Sequence, residues 1–173
     1  MKIELLSPAG DEQSLKLAVK KGADAIYISG KEYGARKYAK NFTLEEIKKQ
    51  IKYCHLYGVK LYVTVNTLIE EEDLEDVTNY IRNLHKAGVD AIIMQDIGLI
   101  NHISKLFPNL EIHASTQSHN CNQKCLDFLE KLKVKRAVLA RELTENQIKN
   151  LNTKLDLEVF IHGALCISYS GEC

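Results

Sequence analysis

The sequence predicts a parallel β/α fold of the TIM-barrel type, and three observations predict it. Short apolar runs rich in β-branched residues alternate with longer amphipathic stretches along the whole chain. Three junctions look alike: Lys21-Gly22-Ala23-Asp24-Ala25, Tyr57-Gly58-Val59-Lys60-Leu61 and Ala87-Gly88-Val89-Asp90-Ala91. Each reads as a helix closed by glycine and followed by a buried strand. Polar or unusual residues follow nearly every strand: Pro8-Ala9-Gly10, Gly30, Asn66, Gln95-Asp96, Ser115-Thr116-Gln117, Arg141-Glu142 and His162-Gly163. Repeated βα units of roughly 25 residues require parallel strands with right-handed crossovers. A barrel gathers all those strand ends into one mouth, whereas an open sheet concentrates function at one crevice. No Gly-x-Gly-x-x-Gly follows the first strand to favour the open sheet.

The elements follow in order. Strands are expected over 3–6, 25–29, 60–65, 91–95, 111–114, 136–139 and 157–161. Helices are expected over 11–21, 43–57, 70–87, 97–106, 119–132 and 144–153. Thr43-Leu44-Glu45-Glu46 reads as an N-cap with acidic residues in the first turn, and Thr144-Glu145-Asn146-Gln147 as a capping box. Asp96, ahead of an amphipathic run, reads as another N-cap. Seven strands are visible, one short of the closed (β/α)8 barrel. The expectation is a single domain over 1–173, an incomplete barrel that continues past residue 173. Its open edge would expose unpaired backbone, so pairing into a homodimer is expected there.

Composition narrows the class. The chain carries 23 Lys plus Arg against 23 Asp plus Glu, so bulk charge selects no partner. No apolar run reaches the roughly 18 residues of a membrane span, and the amino terminus lacks a signal-peptide pattern, so cytoplasmic residence is expected. The five cysteines, Cys54, Cys121, Cys125, Cys166 and Cys173, are odd in number in an ordinary α/β chain. Free thiols or metal ligands are therefore better readings than disulfides.

The carboxy-terminal stretch places Cys166 and Cys173 seven positions apart on a loop leaving a strand, with Gly171 to let the backbone curl. Paired thiolates suit an iron–sulfur cluster or zinc, but two thiols complete neither. Read from the residues alone, two unrelated loop cysteines remain an equal reading. Cys121 and Cys125, four apart, are expected to share a helix face and to serve packing, and Cys54 to lie in the core. His113 and His162 fall at strand ends facing the mouth, where each suits acid–base work or a structural hydrogen bond. Arg36 and Arg141 could grip an anion, or pair with an acid such as Glu142 or Asp96. Asn66, Gln95, Asp96, Ser115, Thr116 and Gln117 would line the mouth. His-Glu-x-x-His, Gly-x-Ser-x-Gly and a recognisable Cys–His nucleophile pair are all missing from the sequence.

The stretch Glu158-Val159-Phe160-Ile161-His162-Gly163-Ala164-Leu165-Cys166, followed by Gly171-Glu172-Cys173, resembles the motif of the peptidase U32 family. So do Glu4-Leu5-Leu6-Ser7-Pro8-Ala9-Gly10, Tyr33-Gly34-Ala35-Arg36, Val63-Thr64-Val65-Asn66-Thr67, His113-Ala114-Ser115-Thr116-Gln117 and Leu139-Ala140-Arg141-Glu142. The resemblance covers the family's amino-terminal half. It implies an oxygen-independent hydroxylase of a tRNA or ribosomal RNA base, or of a ubiquinone precursor, with prephenate as oxygen source. The historical family name implies a collagenase-like peptidase instead. A non-enzymatic barrel binding RNA or a partner, with zinc or no metal, is the third alternative. The resemblance also implies a 4Fe–4S cluster on four cysteines, of which Cys166 and Cys173 would be the first two. The chain alone is therefore expected to be inactive. The resulting expectation gives His113, His162 and Arg141 to catalysis, and Arg36, Asn66, Gln95 and Gln117 to substrate.

Overall fold

The computed structural model describes residues 3–35, 40–163 and 166–172. Its strands are β1 (Leu6–Pro8), β2 (Ala25–Ser29), β3 (Lys60–Val65), β4 (Ala91–Met94), β5 (Glu111–Ala114), β6 (Arg136–Val138) and β7 (Asp156–Glu158). Its helices are α1 (Glu12–Lys20), α2 (Leu44–Leu56), α3 (Leu74–Ala87), α4 (Ile97–Leu106), α5 (Gln123–Lys131) and α6 (Glu145–Lys149). The strands follow chain order in one sheet. The pairings β1–β2, β2–β3, β5–β6 and β6–β7 are parallel. The α/β barrel-type class expected from the sequence is the one found. The chain forms two compact units, Met1–Ile92 and Ile93–Cys173.

In the first unit, the repeated junctions fold alike. Gly22, Gly58 and Gly88 all adopt positive φ (91°, 68° and 86°), which glycine reaches without a Cβ penalty. The acid two residues on then reaches back across the sheet. Asp24 accepts the Leu5 N–H at 2.9 Å and Asp90 accepts the Leu61 N–H at 2.7 Å. The junction with Lys60 instead pairs that side chain with Glu4 at 3.2 Å. Leu15, Ile26, Ile28, Ile47, Ile51, Leu61, Val63, Ile81 and Leu84 are fully enclosed. Each such aliphatic side chain contributes about 1.5–3 kcal/mol relative to exposure.

In the second unit, Met94, Leu99, Ile100, Ile103, Ile112, Ala114, Leu126, Leu129, Ala137 and Val138 form the apolar interior. Asp96 caps α4 through the Leu99 N–H at 2.9 Å, as the sequence suggested.

Several boundaries differ from expectation for physical reasons. β1 runs over Leu6–Pro8 rather than 3–6: Ile3 is 80% exposed, and Pro8 is tolerated where an outer strand has no donor to supply. β7 spans Asp156–Glu158, because the three residues of β6 offer no partner beyond Glu158. Val159, Phe160 and Ile161 are exposed. α5 begins at Gln123 rather than 119, since His119 is left-handed (φ 57°) and Asn122 caps the helix. Cys121 therefore lies outside the helix and shares no helical face with Cys125. α6 stops at Lys149, and the following strand approach is captured by α5 side chains. Gln123 exchanges two hydrogen bonds with the Asn152 backbone, and Glu130 accepts from Thr153 and the Lys154 N–H. Among the described residues no helix is long and apolar enough to cross a membrane.

Candidate functional site

The second unit ties its strand-end loops together around the cysteine loop. Ser118 donates to the Gln95 carbonyl at 3.1 Å, and Thr116 donates to the Leu139 carbonyl at 3.2 Å, so the turn after β5 is fastened to the ends of β4 and β6. Asn120 anchors this turn from inside. It is fully buried, and its amide group faces the carbonyls of Ala114, Ser115 and Val138 at 3.3, 2.8 and 2.9 Å.

The segment after Cys166 docks onto this frame. Arg141 donates from its backbone N–H and its Nε to the Ser170 hydroxyl, at 3.2 and 3.4 Å, and from its guanidinium to the Ser168 carbonyl at 2.9 Å. Glu142 accepts from the Ser170 N–H at 2.9 Å and from its hydroxyl at 3.3 Å. Ser170 is 2% exposed. Desolvation raises the Glu142 carboxyl, but the Ser170 N–H and hydroxyl and the Arg141 charge more than offset it, leaving the carboxyl below its ordinary range. Gly171 (φ 90°) lies against the turn after β5: a Cβ there would stand 2.6 Å from the Gln117 carbonyl and collide with the His119 ring. His119 Nε2 sits 3.8 Å from the Glu172 carboxylate.

Of the residues singled out from sequence, the structure brings together Gln95, Gln117, Arg141 and the Cys166 loop. Cys166 is exposed. Arg141 turns inward to the loop rather than pairing directly with Glu142 or Asp96. The Gln95 Oε1 is buried with no hydrogen-bond partner among the described residues. His162 is exposed on the bend after β7. His113 does not face an open mouth. It is fully enclosed within β5, opposite Arg136 in register, with Nε2 3.9 Å from Glu111. Arg136 in turn meets Glu158 at 3.3 Å, so His113 belongs to a polar layer inside the unit. Asn66, in the first unit, accepts the Ala35 N–H at 3.1 Å. Arg36 and Cys173 lie outside the described residues.

Sequence reasoning missed Ser170, Asn120 and His119. Serine and asparagine in polar loops read as solvated turn residues, and nothing local marks them as buried anchors. The one available signal was Gly171, whose conformational freedom implies a close approach.

The description "Peptidase family U32" matches residues 10–173. The chain is 43% identical to tRNA hydroxylation protein P1 of Bacillus subtilis (strain 168), over 99% of this chain and 41% of that protein. It is 41% identical to the 23S rRNA 5-hydroxycytidine C2501 synthase of Escherichia coli (strain K12), over 99% of this chain and 26% of that protein. The chain thus spans less than half the length of these curated relatives. A solved U32 peptidase superposes with a TM-score of 0.76 at 12% identity, covering 91% of this chain and 67% of that one. At that identity the likeness concerns the fold.

Proposed function

The chain belongs to peptidase family U32, and from that premise we propose that the intact protein hydroxylates a base of tRNA or ribosomal RNA without molecular oxygen. The observation that carries this reading is an exposed thiol, Cys166, on a loop fastened by Arg141 and Glu142. It stands in a sequence shared almost end to end with proteins named for tRNA and rRNA hydroxylation.

The donor chemistry fits two ligands of an iron–sulfur cluster. Sulfur donors on a loop suit such a group, and Cys166 is exposed. Among the described residues no three His, Cys, Asp or Glu side chains gather to hold a metal. Cys166 and Cys173 would hold the cluster, which supplies one-electron chemistry when bound. Gln95 and Gln117, which follow β4 and β5, would orient a substrate. Prephenate is the proposed oxygen source, and a ubiquinone precursor the alternative acceptor. His162, exposed beside the loop, is the proposed acid–base group; His113 is too enclosed to reach substrate without rearrangement.

The family's name favours a second reading, a peptidase. The Ser170 hydroxyl is buried and shared between Arg141 and Glu142, a poor nucleophile, which leaves Cys166 as the group to test. The deciding experiment expresses the intact protein in cells lacking their own RNA hydroxylases and analyses tRNA and rRNA nucleosides by mass spectrometry. A new hydroxylated nucleoside that disappears with Cys166→Ser is expected. Cysteine-dependent cleavage of gelatin by pure protein, with unmodified RNA, would overturn the proposal.

A further inference from the structure

We infer that Arg141, Glu142 and Ser170 form a positioning device that sets the shape of the cysteine loop before any metal binds. The inference rests on the cluster reading above for what the loop holds, but its geometry stands independently.

The loop cannot be fixed by apolar packing. Ile167 is fully exposed and Tyr169 is 69% exposed. What holds the loop is polar and concentrated on one residue. Ser170 is almost completely buried, and both its polar groups are used. Its hydroxyl lies between Arg141 and Glu142, and its N–H goes to the Glu142 carboxylate. The Arg141 guanidinium takes the Ser168 carbonyl as well, so residues on either side of Tyr169 are pinned by one side chain. Glu172 N–H then closes a turn onto the Tyr169 carbonyl at 3.1 Å. Gly171 lets the backbone lie directly on the Gln117 carbonyl and the His119 ring, where any Cβ would intrude.

Three consequences follow. The pair at the end of β6 is occupied in holding protein, which accounts for Arg141 without an anionic ligand. The Glu142 carboxylate is likewise occupied, accepting from the Ser170 N–H and hydroxyl. The entropy of ordering the loop is lost on folding rather than on metal capture, which raises affinity for whatever the two thiols bind. Arg141 and Glu142 are thus positioning residues that act through Ser170.

The test uses the intact protein, purified anaerobically, with Arg141→Lys and Ser170→Ala. Metal-free wild-type protein is expected to show slowed amide hydrogen exchange at Ser170 and Glu172, and both variants faster exchange across 167–172. Iron release to a chelator is expected to accelerate about 10- to 100-fold in the variants, the usual cost of losing a ligand-orienting partner. Fast exchange at 167–172 in metal-free wild type overturns the inference, whether or not the variants fold. Variants that match wild type in both exchange and iron release overturn it as well. If wild type carries no iron, the cluster reading fails by itself; loss of protection in the variants then still supports the positioning role.

Discussion

Cys54 and Cys166 carry the same thiol in opposite surroundings. Cys54 is a fully buried residue of α2, and burial, with Asp90 nearby, pushes its thiol up to about 11. Cys166 and Cys121 are exposed. Because the thiolate is the reactive form, a disulfide reagent at pH 8 should label Cys121 and Cys166 rapidly and Cys54 only after unfolding; rapid native labelling of Cys54, read by peptide mass spectrometry, would contradict its placement. Gly30 offers a packing test. A Cβ there would collide with the Tyr80 hydroxyl, which is buried without a partner among the described residues. Gly30→Ala should cost about 1–3 kcal/mol in urea denaturation. Tyr80→Phe, which removes an unsatisfied polar group, should leave stability unchanged or raised. At this scale the burial of Cys54 and the turns at the three junction glycines were legible in the sequence, since periodicity and backbone demand are local signals. It misplaced His113, because a histidine near a strand end reads the same whether its ring faces the mouth or the interior.

Two capping boxes of different chemistry start α2 and α6. Thr43 pairs with the Glu46 carboxylate, and Thr144 with the neutral Gln147 amide. Thr144→Ala should cost about 1 kcal/mol, equally at pH 4 and pH 7. The Glu46 carboxyl is lowered by the Thr43 N–H first and the Thr43 hydroxyl second. A lowered carboxyl contributes stability that is full above the ordinary glutamate range and lost as pH falls through the folded value. The stability difference between wild type and Glu46→Gln should therefore shrink on acidification; a difference constant from pH 7 to pH 3 would contradict this. The caps Thr43, Asp96 and Thr144 and strands β2, β3 and β5 were legible to the residue because local chemistry determines them. The ends of α6 and β7 were not, because Gln123 and Glu130 hold the segment after α6 and β6 offers β7 no partner beyond Glu158; the start of α5 was not, because left-handed His119 and the Asn122 cap set it.

The whole molecule comprises two compact units that share the β/α repeat and differ in what their strand ends carry. The second holds the cysteine loop; the first holds Asn66 and the turn it fixes. The segment bearing Leu157, Val159, Phe160 and Ile161 exposes apolar side chains in this chain. The 173-residue chain should accordingly self-associate in sedimentation velocity and do so less with Phe160→Lys; a monodisperse wild-type monomer would contradict that. Fold class was readable from repetition alone. Substrate was not, because specificity in this architecture lies in loops. The assignment of Cys166 and Cys173 as cluster ligands is tested most directly by iron and acid-labile sulfide in the intact protein, purified without oxygen, beside Cys166→Ser. The expected result is about four irons and four sulfides per polypeptide in wild type, with loss of both in the variant. A colourless wild-type protein without iron or sulfide, or a variant that keeps its full complement, would contradict the assignment.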